Sequence, residues 1–285
     1  MIAPIRTALV LAGRRDGTVD PFAAGHGVRD KCLIPVAGKP MITHIVTSLW
    51  QTKRLEHILI SSNDADAIRT VPVVARLERE GRLAFVAADD NIAGSVLKAA
   101  KRAEFPLLVT TADNCLFDSP SIAEFGVAAH SLDADVAVGF APKDAILSAH
   151  PEGQRKFYQF SDTAVSTCNA YWIRNREALG AVETFRGGGQ FVKHPLRIAQ
   201  AFGIWNLVRF RFGMGTLEAA FRRFSRRFRL DMRAILLTNG ACAIDVDNER
   251  TLRVTEEILA QRAEPLLTGS AREQQFAVAA RVSSV

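Results

Sequence analysis

The sequence predicts an α/β fold whose sheet is mainly parallel, partly mixed, and covered by helices on both faces. Three observations predict it. Short apolar runs alternate with helical patterns through the first half of the chain, as right-handed βαβ units require. Several runs are apolar almost throughout, which fits strands buried on both faces. With 48% hydrophobic residues in 285, and only 19 Gly and 11 Pro, there is material for one large core, and a collagen-like or wholly disordered chain is excluded.

Thr7–Ala12 reads as the first strand, followed by a long Gly-containing loop from Gly13 to Gly38. Pro40 to Trp50 reads as a helix, with proline in its first turn where the missing N–H has no partner to lose. His57–Ser61 is a second strand, Asp64 to Arg79 mostly helix, and Leu83–Ala87 a third strand. A helix from Ser95 to Ala103 is opened by Gly94-Ser95, with Ser95 as its cap. Leu107–Thr111 is the fourth strand and ends at Asp113. Asp135–Phe140 and Thr167–Ile173 are later strands, the second bounded by a helix from Glu177. Gly187-Gly188-Gly189 breaks the pattern. Ala241–Val246 returns as an apolar strand ending in Asp245-Val246-Asp247, Thr251 to Ala263 is a helix, and the remainder is weakly patterned. The organisation expected is one domain over residues 1–265, with a basic aromatic helical insertion at about 187–236 and a weakly ordered tail over 266–285.

Charge is uneven. The chain carries +6, yet Gln190 to Arg233 holds ten Lys/Arg against two acids, so the rest is mildly acidic. That distribution argues against a nucleic-acid binder. Within the basic stretch, Leu217, Phe221, Phe224 and Phe228 fall on one helical stripe, with Arg222, Arg223, Arg226, Arg227 and Arg229 around it. Two readings stand: a helix docked on the core, or a helix that meets an anionic membrane surface through residues 190–233. Its longest uncharged run, Ile198 to Val208, is 11 residues, against the ~20 that span a bilayer. The four cysteines (Cys32, Cys115, Cys168, Cys242) have no zinc-ligand spacing and read as free thiols in a reducing compartment. Met1 to Gly13 lacks a signal-peptide pattern. A cytoplasmic protein is expected, peripheral at the inner face of the membrane if the basic helix binds lipid.

Ligands of open parallel sheets sit beyond the carboxyl ends of the strands. Asp113 lies at one such end, and Asp245 and Asp247 at another. Hard oxygen ligands of this kind suit Mg²⁺, which takes one or two carboxylates together with substrate phosphates; helix capping or turn formation is the plainer role for each aspartate alone. The glycines fit neither standard phosphate loop. Gly25-His26-Gly27 is followed by Asp30 where a dinucleotide fingerprint needs Gly, and Leu33 stands where a Walker loop before Gly38-Lys39 needs one. What remains is a loop with Arg14, Arg15 and Lys31, whose N–H groups and cations suit a polyphosphate.

Leu9-Val10-Leu11-Ala12-Gly13, with Asp30-Lys31-Cys32-Leu33-Ile34-Pro35-Val36-Ala37-Gly38-Lys39-Pro40-Met41-Ile42, resembles the signature of the MobA-like NTP transferases. Asp113 in Thr111-Ala112-Asp113-Asn114 is similar to the family's metal-binding aspartate. Ile244-Asp245-Val246-Asp247-Asn248-Glu249 resembles its late acidic element, where spacing favours Asp247 over Asp245 as second metal ligand. The resemblance covers roughly residues 5–180 and 240–262. Departures are a longer loop before Lys31, Arg14 where a second Gly is common, and Cys32 in place of proline.

The resemblance implies a nucleotide-diphospho-sugar transferase-like fold and a Mg²⁺-dependent nucleotidyltransferase. An NTP and a phosphorylated small-molecule acceptor (sugar, polyol or lipid headgroup) would be its substrates; the membrane-leaning reading of the basic stretch points toward envelope or lipid metabolism, with CTP preferred among the nucleotides. By this resemblance Lys31, Arg15 and Asp113 are catalytic, and Asp113 with Asp247 holds the metal. Leu11, Ala12, Gly13 and Arg14, together with Ala88, Asp89, Gly94 and Ser95, bind the nucleotide. Arg155, Lys156 and Asn169 contact the acceptor. Two alternatives remain: a nucleotide-sugar glycosyltransferase, which would want Asp-x-Asp where Asp113-Asn114-Cys115 stands, and a non-catalytic nucleotide-binding membrane adaptor.

Overall fold

The computed structural model describes residues 5–14, 20–53, 55–186 and 215–263. Apolar β1 (Ile5–Leu11) is an interior strand of the sheet, with parallel β4 (Leu55–Ser62) on one side and parallel β6 (Leu107–Thr111) on the other. The full order is β5 (Leu83–Ala87), β4, β1, β6, β9 (Ala164–Ile173), β7 (Val136–Pro142) and β10 (Met232–Leu236), with β8 (Tyr158–Gln159) paired to β9. Only β9 runs antiparallel to its neighbours within that order, so the sheet is mixed but mostly parallel as expected. A small hairpin, β2 (Pro35–Val36) with β3 (Lys39–Pro40), lies apart, and its turn places Ala37 and Gly38 at positive φ.

Side-chain alternation divides the core into two layers. Ala8, Val10, Ile58, Ile60 and Leu108 face one, where α2 (Met41–Gln51), α4 (Pro72–Arg79), α6 (Ser119–Ser131) and α10 (residues 249–263) bury Ile45, Leu77, Phe125 and Val254. Leu9, Leu59 and Val109 face the other, covered by α5 (Ile92–Ala100), α8 (Leu179–Arg186) and α9 (Leu217–Phe228). Such two-sided burial explains why these strands read as continuous apolar runs.

One expectation is sharpened and two are corrected. The run Asp64 to Arg79 is two helices, α3 (Ala65–Arg69) and α4, because Pro72 starts a new helix and disfavours helical geometry at Val71. The cap before α5 is Asn91, whose Oδ1 accepts from the Gly94 N–H at 2.8 Å; Ser95 lies inside the helix. Ala241–Val246 is not a strand: Gly240–Ala243 forms a 3-10 turn and the chain then runs extended without ladder pairing. Gly240 permits this, since a Cβ there would meet the Ala145 backbone, in α7 (Lys143–Ala149), at 2.2 Å.

Of the helical insertion expected at 187–236, residues 217–236 supply α9 and, instead of more helix, the sheet strand β10, and residues 187–214 and 264–285 lie outside the described residues. Leu217 and Phe221 are buried, Phe224 and Phe228 pack against the same layer, and Phe221 meets Phe140 edge-on with ring centroids 5.8 Å apart. The Phe stripe therefore faces the sheet, which favours the docked-helix reading for α9. Truncating it as Phe221→Ala should cost about 3–5 kcal/mol, whereas Arg226→Ala on the exposed face should change stability by under about 0.5 kcal/mol. Urea unfolding measures both. Gly240→Ala should also destabilise by more than about 1 kcal/mol, because backbone rather than a movable side chain opposes the new methyl.

Candidate functional site

The chain runs from β1 outward to β4 and β5, then returns to β6 on the far side of β1. The crevice where this order reverses is where an open sheet binds ligands. Here the carboxyl ends of β1 and β6 lie side by side, with Leu11 level with Thr111 and the Ala112 N–H donating to the Leu11 carbonyl at 3.0 Å. A cleft of about 580 Å³ opens there, lined by Leu11, Ala12, Gly13 and Arg14, by Lys31 and Cys32, and by Asp113 and Asp247. A larger hollow of about 1100 Å³ runs along α9 and holds none of these residues.

Close backbone packing shapes the loop after β1. A Cβ at Gly13 would come within 2.8 Å of the Ala88 methyl and 3.2 Å of Asn63 Oδ1. The Arg14 N–H donates to Asn63 Oδ1 at 2.6 Å, and the Arg14 side chain pairs with buried Asp30 at 3.5 Å. Burial pushes the Asp30 carboxyl above its usual range, with Arg14 opposing. Asn63 and Asp30 are supporting residues that sequence reasoning missed, since an Asn after a strand and an Asp before a lysine carry no signal by themselves. Arg15 lies outside the described residues.

Lys31 sits on a short 3-10 turn and extends into the cleft. Its Nζ donates to Asp113 Oδ2 and to Asp247 Oδ1, each at 2.6 Å. Burial works against the ammonium, but the two carboxylates together overcome it and hold its pKa above the ordinary lysine value. The two aspartates, 134 positions apart in sequence, meet because the Val246 N–H donates to the Asp113 carbonyl at 3.1 Å. Beyond them the Asp247 N–H donates to Thr251 Oγ1, and the Thr251 N–H to Asn248 Oδ1, which fixes the start of α10 directly after the acidic segment. His26, at the end of α1 (Pro21–Gly25), pairs with Glu249 at 3.0 Å and ties the loop to that helix.

Asp245 stands behind this pair. Burial first, then the nearby Asp113 and Asp247, push its carboxyl well above the usual range, while the Asn169 amide and Lys31 pull it back. Asp113 Oδ1 and Asp245 Oδ1 are both buried without a hydrogen-bond partner. Among the described residues no group of three or more His, Cys, Asp or Glu side chains forms a ready-made metal cage. Cys115, where a second Asp of Asp-x-Asp would be, is buried and its thiol points to the Met41 carbonyl; Asn114 is buried and donates to the Cys168 carbonyl. Cys32 forms part of the wall, and burial pushes its thiol up to about 12.

The remaining expected residues divide. Asn169 lies at the irregularity in β9, where it takes a φ of 45°, and its side chain hydrogen-bonds Asp245; it is not part of the cleft lining. Ala88 backs Gly13, and Ser95 Oγ accepts from the Asp89 N–H at 2.8 Å. Asp89 pairs with Lys98 at 2.8 Å and lines, with Gly94, a separate hollow next to the cleft; exposed Ile92 is the α5 residue that lines the cleft itself. Arg155 and Lys156 are exposed and outside the cleft lining, on a loop that Gln154 anchors by donating to the Ala243 carbonyl at 3.3 Å.

Among solved structures, a hypothetical transferase from Thermus thermophilus is similar at 20% identity, with a TM-score of 0.72 over 87% of this chain and 99% of that one. A 4-diphosphocytidyl-2C-methyl-D-erythritol synthase from Anaerococcus prevotii is similar at 9% identity (TM-score 0.55, covering 90% of this chain and 99% of that one). A CMP:2-keto-3-deoxy-manno-octonic acid synthetase complexed with CTP is similar at 12% identity (TM-score 0.54, with the same coverages). These likenesses show a shared fold. No curated protein matches the chain. The model of the MobA-like NTP transferase domain matches residues 8–202, well over half of the sequence and including Lys31 and Asp113 of the cleft, so the chain belongs to the MobA-like NTP transferase domain family.

Proposed function

We propose that the protein transfers a nucleoside monophosphate from an NTP, CTP by preference, to a phosphorylated small-molecule acceptor and releases pyrophosphate, with Mg²⁺ as cofactor. The observation that carries this reading is the Lys31 ammonium held between Asp113 and Asp247 at the mouth of the β1–β6 crevice. Family membership supports the reaction class. Preference for CTP draws on the two fold neighbours whose names carry cytidine chemistry.

The reaction needs little covalent work from the protein. An acceptor phosphate oxygen attacks the α-phosphorus in line, the bond to the β-phosphate bridging oxygen breaks, and pyrophosphate leaves with that electron pair. Positioning two anions and stabilising growing charge therefore supply the acceleration. The loop from Leu11 to Arg14 walls the polyphosphate side of the cleft, its Ala12 and Arg14 N–H groups already held by the Ser61 carbonyl and Asn63 Oδ1, and Lys31 neutralises charge on the α-phosphate and the departing group. Asn63 and Asp30 keep Arg14 oriented. Asp113 and Asp247 are the residues that would hold Mg²⁺, with Asp245 as the alternate; the unpartnered buried oxygens of Asp113 and Asp245 fit such a role. When bound, Mg²⁺ supplies positive charge to phosphate oxygens. Asn169, hydrogen-bonded to Asp245, is the acceptor contact best supported by position.

Pyrophosphate release from each NTP, with sugar, polyol and headgroup phosphates as acceptors, tests the proposal; absence of release with every pair would reject it. Asp113→Ala should lower turnover by about 10²-fold or more while leaving the urea midpoint near the wild-type value, and wild-type-like release in that variant would remove the aspartate from the chemistry. Asp247→Ala should reduce turnover more than Asp245→Ala; the opposite order would make Asp245 the second ligand.

A further inference from the structure

The lysine has two jobs that exclude each other. In the structure its ammonium lies 2.6 Å from a carboxylate oxygen of Asp113 and 2.6 Å from one of Asp247. Among the described residues those two carboxylates are its ion-pair partners, and its side chain is 22% exposed. It neutralises the two acids that the proposed reaction assigns to a divalent cation. The same ammonium is the group assigned to the polyphosphate, and both residues sit in one cleft with the Gly13–Arg14 loop.

We propose that Lys31 is a resident counter-ion that competes with the divalent cation for Asp113 and Asp247, so that cation and polyphosphate enter the cleft cooperatively. This inference rests on the nucleotidyl-transfer reading and adds an order to it. A dication arriving alone must break two short charge-assisted contacts and leave the ammonium facing a like charge. When a polyphosphate arrives with the cation, the ammonium gains an anion as it leaves the carboxylates, and the two events favour each other. Coupling of this kind is reciprocal: whatever raises cation affinity in the presence of nucleotide raises nucleotide affinity in the presence of cation by the same factor. Arg14 is less suited to the role, because buried Asp30 already holds it.

Mn²⁺ binding to the nucleotide-free protein, followed by electron paramagnetic resonance, tests this without any turnover. Lys31→Met should bind Mn²⁺ on the order of tenfold or more tightly than wild type, because the competing ammonium is gone. Lys31→Arg keeps the charge and should bind it as weakly as wild type. Near-ultraviolet circular dichroism of both variants should match wild type. Equal Mn²⁺ affinity in wild type and in natively folded Lys31→Met would overturn the inference, and so would tighter binding in Lys31→Arg. A parallel measurement of water-proton relaxation with Mn²⁺ and each of the four NTPs separates the two readings. Enhancement by wild type together with unchanged Lys31→Met affinity rejects the competition alone. No enhancement by wild type with any of the four NTPs rejects both.

Discussion

One ammonium shared by two carboxylates organises this cleft, and much of the surrounding architecture serves to bring those three groups together. Asp113 comes from the end of β6, Lys31 from a turn within the loop after β1, and Asp247 from the segment before α10. Left without a cation, two carboxylates so close in a partly buried crevice would repel, and removal from water would add to that cost. The lysine removes the conflict at 2.6 Å on each side. The positive charge sits at the end of a flexible stem, so the same ammonium can turn from the carboxylates without moving the backbone that carries it.

The supporting structure is more rigid than the side chains it carries. Backbone contacts pin each contributor: Val246 to Asp113, Arg14 to Asn63, and Gly240 against the backbone of α7. Glycine is demanded at Gly13 and Gly240 by close approach, of the Ala88 methyl in one case and the Ala145 backbone in the other. Loops held this way commit their N–H groups to the scaffold and present charged side chains from fixed backbone positions. That division, with rigid strands below and adjustable charges above, is what phosphoryl chemistry asks of a protein.

Strand positions were legible because two-sided burial writes itself as apolar runs; Leu83–Ala87 and Leu107–Thr111 stand where the pattern put them. The signature around Lys31, with Asp113 just beyond β6, marks residues that line the cleft, while Asp247 reaches it from an unpaired segment rather than from the strand the pattern suggests. Other features had no local mark. Asn91 outcompetes Ser95 as a cap because the helix begins earlier than the Gly-Ser pair suggests. Apolar Ala241–Ile244 mimics a strand, yet its close contact with α7 bends it into a turn. Asn63 and Asp30 act through partners 49 and 16 positions away, and no periodicity reports a contact of that kind. The Phe stripe of α9 reads from the sequence as a core face or a lipid face, with the core reading ahead, and only the sheet beneath it distinguishes the two.

The central claim is that this ammonium–dicarboxylate cleft is a nucleotide site, and equilibrium unfolding in the presence of each of the four NTPs with Mg²⁺ tests it most directly. A ligand that binds only the native state at a hundredfold excess over its Kd stabilises it by about 2.7 kcal/mol. The account predicts stabilisation of that size by at least one NTP, with CTP foremost, and its loss in Asp113→Ala. If none of the four nucleotides shifts the unfolding of the wild-type protein, or if Asp113→Ala is stabilised as fully as wild type, the account is contradicted.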